Sequence, residues 1–175
     1  TVSSDNFAPM FEALGPLTTD EDTAVPFTVS AQDQNQDALT YSVVESTVSN
    51  GTVEVLDADS GQFRFTPEAD YTGEVTFDVR VSDGNGGEDT QTVTVNVTPV
   101  NDAPVFDAIA PVATDEDVPV VVTMAASDVD SQELTYAFVE GSSANGSVVP
   151  VDGQPGQFTF TPDANFNGEA TFRVS

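Results

Sequence analysis

The chain contains no cysteine, histidine or tryptophan, and its basic residues are three arginines, Arg64, Arg80 and Arg173. Each absence removes a class of function. Without cysteine there is no disulfide framework and no thiol nucleophile. Without histidine or cysteine a nucleophilic triad has no base, and without lysine there is no Schiff base, so no enzyme is expected. With almost no cations the chain lacks the basic footprint that counterion release requires, so nucleic acid is not a partner. An anionic membrane surface would repel it. No apolar run approaches the length of a membrane-spanning helix, so direct membrane insertion is not expected either. No signal peptide is present, and the sequence reads as an excised fragment.

What the chain has is acid, 30 Asp and Glu giving a formal charge of −27, and it has it twice over. Thr19-Asp20-Glu21-Asp22 returns 95 positions on as Thr114-Asp115-Glu116-Asp117, and Thr66-Pro67 to Val79 returns as Thr161-Pro162 to Val174. Asn6-Phe7-Ala8-Pro9 returns as Asn101-Asp102-Ala103-Pro104. A repeat of this length can bury its own core, so the chain reads as a tandem array of independent units. The boundaries expected are 6–99 for the first repeat, 100–104 for a linker and 105–175 for the second.

The patterning is β throughout. Val25-Pro26-Phe27-Thr28-Val29, Gln62-Phe63-Arg64-Phe65 and Thr92-Val93-Thr94-Val95-Asn96-Val97 alternate apolar and polar residues, with β-branched and aromatic enrichment. Asn50-Gly51, Asp59-Ser60-Gly61 and Asp83-Gly84-Asn85-Gly86-Gly87 read as turns between them. The fold class predicted is all-β, two tandem seven-strand antiparallel β-sandwiches. Strands A to G of the first cover about 9–18, 25–31, 38–45, 52–57, 61–66, 73–82 and 89–98. Ser175 matches Arg80 in mid-strand F, so the second sandwich lacks its last strand, which exposes a strand edge and part of the core; the natural chain is expected to continue.

Laid on such a sandwich, the acids collect at its ends. The A–B loop carries Asp20, Glu21 and Asp22 and the E–F loop carries Glu68 and Asp70, at the end where the chain leaves through Asn101 and Asp102. The B–C loop of the second repeat presents Asp128 and Asp130 towards the same joint. That many hard oxygens on flexible segments suits Ca²⁺ better than Mg²⁺, and without a cation they would repel one another. A half-site of the same kind is expected at the top of repeat one from Asp5, Asn6, Asp33, Asn35, Asp37 and Asp83. Another is expected at the bottom of repeat two from Asp115, Glu116, Asp117 and Asp163. Asp and Asn are also ordinary turn formers, and a pair such as Asp83-Gly84 taken alone reads as a turn. The triplet recurs intact, which turn chemistry does not demand. Asp33-Gln34-Asn35-Gln36-Asp37 is not an EF-hand loop, because its sixth position is Ala38 and its twelfth is Val44. Asp83-Gly84-Asn85-Gly86-Gly87 occurs once, unlike a nonapeptide calcium roll. Asn50, Asn96 and Asn145 head N-glycosylation sequons, and a turn accounts equally well for Asn50-Gly51 and Asn145-Gly146.

The joint Asn101-Asp102-Ala103-Pro104, the Asp20-Glu21-Asp22 and Asp128-Val129-Asp130 loops and Val81-Ser82-Asp83-Gly84-Asn85-Gly86-Gly87 together resemble the cadherin-like repeats of large bacterial surface proteins and adhesins. The resemblance covers nearly the whole chain. It implies Ca²⁺ between successive domains, with Glu21, Asp70, Asn101, Asp102, Asp128 and Asp130 as ligands. The chain departs from the animal form in its short linker led by Thr98-Pro99-Val100, in Pro67-Glu68-Ala69-Asp70 and in Asn35, which implies one or two ions at a joint rather than three. The function implied is an extracellular, cell-surface spacer or adhesion repeat stiffened by Ca²⁺, its partners the neighbouring repeats. The alternative is a Ca²⁺-dependent polysaccharide-binding or self-associating module. A sugar platform would have to use Tyr41, Tyr71 or Tyr136, which fit strands or strand ends.

Overall fold

The computed structural model describes residues 5–175 and divides into two compact units between Val100 and Asn101. The first unit contains β1 (Met10–Phe11), β2 (Leu17–Asp20), β3 (Val25–Thr28), β4 (Ala31–Gln32), β5 (Thr40–Val43), β6 (Gly51–Asp57), β7 (Gln62–Pro67), β8 (Gly73–Ser82) and β9 (Glu88–Thr98). They build a four-stranded sheet in the order β2-β9-β8-β5 and a three-stranded sheet in the order β3-β7-β6, with β1 and β4 pairing beside them. The period of two decides which side chains go inside. Along β8, Val75, Phe77, Val79 and Val81 are buried; along β7, Phe63 and Phe65; along β9, Val93, Val95 and Val97. Phe77 sits between the sheets, its ring 5.8 Å from Phe27 and 5.7 Å from Phe65.

Two expectations need correction. Strand A is not one antiparallel strand. It breaks at Gly15-Pro16 into β1, antiparallel to β4, and β2, which runs parallel to β9. Proline has no N–H to give a ladder, so the chain changes sheet there. Asn50-Gly51 is not a hairpin turn either. Asn50 is left-handed (φ 52°), but the chain passes there from the sheet of β5 to that of β6, after a 3-10 turn at Glu45–Thr47. Gly51 is needed for space, since a Cβ there would meet a Phe65 ring carbon at 2.6 Å.

The second unit contains β10 (Val105–Phe106), β11 (Val120–Thr123), β12 (Ala126–Ser127), β13 (Gly146–Pro150) and β14 (Gln157–Pro162). The sheet β11-β14-β13 repeats β3-β7-β6, and the pair β10-β12 repeats β1-β4. The other sheet is reduced to isolated bridges, Phe138 with Val174 and Ala144 with Thr171. In the first unit β9 is the common partner of β2 and β8. Val122, Phe158 and Phe160 form the buried centre that remains.

Candidate functional site

At one end of the first unit, the carboxylate oxygens of Asp33, Asp37 and Asp83 lie within 4.8 Å of one another. Asp33 opens the loop after β4, and its Oδ1 accepts the N–H groups of Asn35 (2.8 Å) and Asp37 (3.2 Å), curling the loop so that the acids face inward. Its other oxygen, Oδ2, is buried and has no hydrogen-bond partner. Asp83 starts the turn between β8 and β9 and is buried, with Oδ1 accepting from Asn85 N (2.7 Å) and Gly87 N (2.9 Å). The Asn6 amide donates to Asp83 Oδ2 at 2.8 Å, and this bond, opposed by desolvation and reinforced by the backbone donors, holds the Asp83 carboxyl below the usual aspartate range. Phe7 N donates to Asn35 Oδ1 at 2.8 Å, and Asn35 Nδ2 donates to the Asp5 carbonyl at 3.0 Å. The incoming segment is thus tied across two loops. Of the residues expected here, Asp5 joins through its backbone rather than its carboxylate. The protein supplies little counter-charge, because Arg64 pairs with Glu54 and Arg80 with Glu88 on the sheets. An orphaned buried carboxylate oxygen and a set of hard oxygen donors fit a divalent cation with oxygen ligands.

At the opposite end, Glu21 is buried, and its Oε1 accepts the N–H of Val100 at 2.6 Å. Glu21 N in turn donates to the Thr98 carbonyl (2.9 Å), and Thr98 Oγ1 donates to Asp20 Oδ1 (2.7 Å). The loop between β2 and β3 therefore grips the outgoing strand. Asp22 and Asp70 are both left-handed (φ 56° and 57°), Asp70 N donates to Asp22 Oδ1 at 3.2 Å, and their carboxylate oxygens lie within 4.8 Å. Glu68 N bonds instead to the Asn50 carbonyl.

The second unit repeats both arrangements in part. Asp128 Oδ1 accepts from Asp130 N (2.9 Å) and Ser131 N (2.7 Å), and Asp130 Oδ2 accepts from Asp102 N at 2.6 Å, the counterpart of the Phe7–Asn35 bond. The Asn101 amide turns onto the carbonyl of Asp102. At the far loop, Asp117 Oδ1 accepts from Asn165 N at 2.9 Å. Asn165, not the expected Asp163, thus stands where Asp70 stands in the first unit; Asp163 N binds the Asn145 carbonyl. The repeat spacing applied to Asp70 would have found Asn165. Asp115, Glu116 and Asp117 are exposed there.

The tyrosines serve the sandwich. The Tyr41 hydroxyl accepts from Ala31 N and that of Tyr136 from Ala126 N, both at 3.0 Å, and Tyr71 Oη donates to the Glu74 carbonyl at 3.1 Å. No described helix is long and apolar enough to cross a membrane.

Residues 6–96, more than half of the chain, match the family described as Bacterial Ig domain, and residues 100–175 match the Cadherin-like domain. No curated protein matches the sequence. Among solved structures, human CDH23 EC21-23 is similar at 23% identity and a TM-score of 0.51, over 91% of this chain and 55% of that one. Mouse Cadherin-23 EC22-24 is similar at 22% identity and a TM-score of 0.49, over 91% and 55%. A nucleoside hydrolase-related hypothetical protein from Saccharophagus degradans is similar at 21% identity and a TM-score of 0.43, over 53% and 26%. The chain spans about half or less of each of these structures, and the likeness to human CDH23 EC21-23, at 23% identity, is one of fold. Domains of the two matched families are non-catalytic and of the extracellular adhesion or spacer type. The chain belongs to the bacterial Ig domain family, as a tandem repeat whose second unit is cadherin-like.

Proposed function

We propose that this chain is a Ca²⁺-stiffened spacer segment of a large bacterial surface protein. In this reading Asp20, Glu21, Asp22 and Asp70 of the first unit, Asn101 and Asp102 of the connection, and Asp128 and Asp130 of the second unit share one or two ions. Asp33, Asn35, Asp37, Asp83 and Asn6 form the equivalent site for a preceding unit, with Asp5 contributing its carbonyl. Asp115, Glu116 and Asp117, now with Asn165 in place of Asp163, serve a following one. The cation draws carboxylates of both units onto one point and so sets the angle between them; without it, like charge drives them apart. Extracellular modules bind Ca²⁺ at about 10⁻⁴–10⁻³ M, so the connection would be stiff outside the cell and loose inside.

The observation that supports this best is a pair of backbone grips two residues apart. Glu21 holds the N–H of Val100 as the chain leaves one unit, and Asp130 holds the N–H of Asp102 as it enters the next. Acidic side chains of both units are thereby committed to the same short connection. The three tyrosines are occupied within the sandwiches, so no observation favours polysaccharide binding. Small-angle scattering of the two-unit chain in EDTA and in millimolar CaCl₂ at equal ionic strength tests the proposal. A longer, narrower distance distribution with Ca²⁺, lost in Asp128→Ala, is the expected result; superimposable curves would overturn it.

A further inference from the structure

Four asparagines precede a glycine, Asn50, Asn85, Asn145 and Asn167, and the fold gives the four pairs different surroundings. Asn50 and Asn145 stand at the starts of β6 and β13. Both are left-handed (φ 52° and 64°), and their carbonyls accept the N–H groups of Glu68 and Asp163. The glycines that follow them are crowded. A Cβ at Gly51 would lie 2.6 Å from a Phe65 ring carbon, and one at Gly146 2.4 Å from a Phe160 ring carbon. The Asn145 amide is tied as well, donating to the Glu169 carbonyl at 3.1 Å. Asn167-Gly168 is exposed, with the Phe166 ring 3.2 Å from a Cβ at Gly168.

Asn85-Gly86 has the opposite surroundings. It lies in the turn between β8 and β9, where Gly84, Asn85 and Gly86 are all exposed, and nothing lies within 4 Å of a Cβ at Gly86. The other N–H groups of the turn are engaged. Asp83 N donates to the Gly87 carbonyl at 3.2 Å and Gly84 N to Ser82 Oγ at 3.2 Å, while Asn85 N and Gly87 N donate to Asp83 Oδ1 at 2.7 and 2.9 Å. Among the described residues, neither the Gly86 N–H nor the Asn85 side chain has a partner. The turn is thus anchored on both sides of one peptide group that remains free to rotate, and glycine places no side chain in its way.

We propose that Asn85 is a site of spontaneous deamidation, a modification that charges and lengthens this turn as the protein ages. The Gly86 nitrogen attacks Asn85 Cγ and closes a cyclic imide. The bond from Cγ to the side-chain nitrogen breaks, and ammonia leaves with the proton given up by the Gly86 N–H. Water then opens the ring at one of its two carbonyl carbons, giving aspartate or isoaspartate. Either product adds a carboxylate two residues from Asp83, beside Asp33 and Asp37. Isoaspartate also adds a carbon to the main chain between Asp83 and Gly87, which draws Gly87 N away from Asp83 Oδ1. The reaction needs neither a cation nor an enzyme. At Asn50 and Asn145 the same attack requires the start of a strand to open first.

The whole 175-residue chain is held in EDTA at mildly alkaline pH, folded or in urea, and amide-to-acid conversion is mapped by mass spectrometry over days. Cleavage after Glu74 and Glu88 isolates Asn85, cleavage after Glu45 and Glu54 isolates Asn50, and fragmentation of 141–169 separates Asn145 from the later asparagines. In the folded chain Asn85 is expected to convert at least about tenfold faster than Asn50 and Asn145. In urea the three rates should converge, because each asparagine is followed by glycine. Isoaspartyl methyltransferase should label the aged chain at residue 85, and the Gly87 amide should exchange faster there than in fresh protein. Similar rates at the three sites of the folded chain, an order left unchanged by urea, or unaltered Gly87 exchange after ageing would each overturn the proposal.

Discussion

The carboxylate of Glu21 accepts the backbone N–H of Val100 at 2.6 Å across 79 residues of sequence, while its repeat counterpart Glu116 is exposed. The same residue type in the same motif thus has two environments. A hydrogen bond to a buried charged acceptor is worth about 1.5–3 kcal/mol. Glu21→Ala in EDTA should therefore cost the first unit about 2 kcal/mol, and Glu116→Ala should change stability by less than about 0.5 kcal/mol. Urea unfolding of the two variants checks the difference.

Gly51 and Gly146 occupy the same place against β7 and β14. A Cβ at Gly51 would lie 2.5 Å from the Thr66 carbonyl oxygen, and one at Gly146 2.6 Å from that of Thr161. Backbone cannot retreat as a flexible side-chain end can. Gly51→Ala should lower stability by about 1–3 kcal/mol, read as a fall in Tm by calorimetry.

Phe77 is sealed in the first core and Phe172 is half-buried in the second unit. Phe77→Ala should cost about 3–5 kcal/mol through lost transfer and cavity terms. Phe172→Ala should cost clearly less, because its site is already open to water. Denaturant titrations of the two variants measure the contrast.

Asp37 contributes a carboxylate to the cluster with Asp33 and Asp83. Asp37→Asn should weaken Ca²⁺ binding at that end about tenfold by calorimetric titration, since ligand charge tunes affinity in oxygen sites. In EDTA the same variant should be as stable as the parent or more so, because one like charge has gone.

Glu12 accepts from Ser30 Oγ at 2.7 Å and from Gln32 Nε2 at 2.6 Å, and these bonds, the serine first, hold its carboxyl below the usual glutamate range. The sign follows. Its contribution to stability is fully present above the usual glutamate pKa and is lost as pH falls through the lowered folded value. Carboxyl ¹³C titration should show Glu12 lowered in the parent and moved back towards the ordinary value in Ser30→Ala.

Much of the fold was legible because its determinants are local. The alternation in Val75, Phe77, Val79 and Val81 assigns a face to every residue of β8, and the turn residues from Asp83 to Gly87 join β8 to β9 as read. The split of strand A was not legible, since Met10–Phe11 and Leu17–Asp20 take partners far away in sequence, in different sheets and opposite directions. The loop acids were legible as a set from composition and repetition. Their individual roles were not. Nothing in the sequence distinguishes Asp5, which offers a carbonyl, from Asp83, which offers a carboxylate, or Asp163 from Asn165 at the place of Asp70.

By itself the sequence determined the class of protein. Periodicity, repetition and the near absence of cations depend on residue identity alone, and they make the chain an all-β tandem repeat with acid-rich loops. Only the tertiary structure decided that Glu21 is buried while Glu116 is not, and that β1 and β2 join different sheets. Burial and ladder pairing depend on segments distant in the chain, and two copies of one motif with different neighbours cannot be told apart from the motif alone.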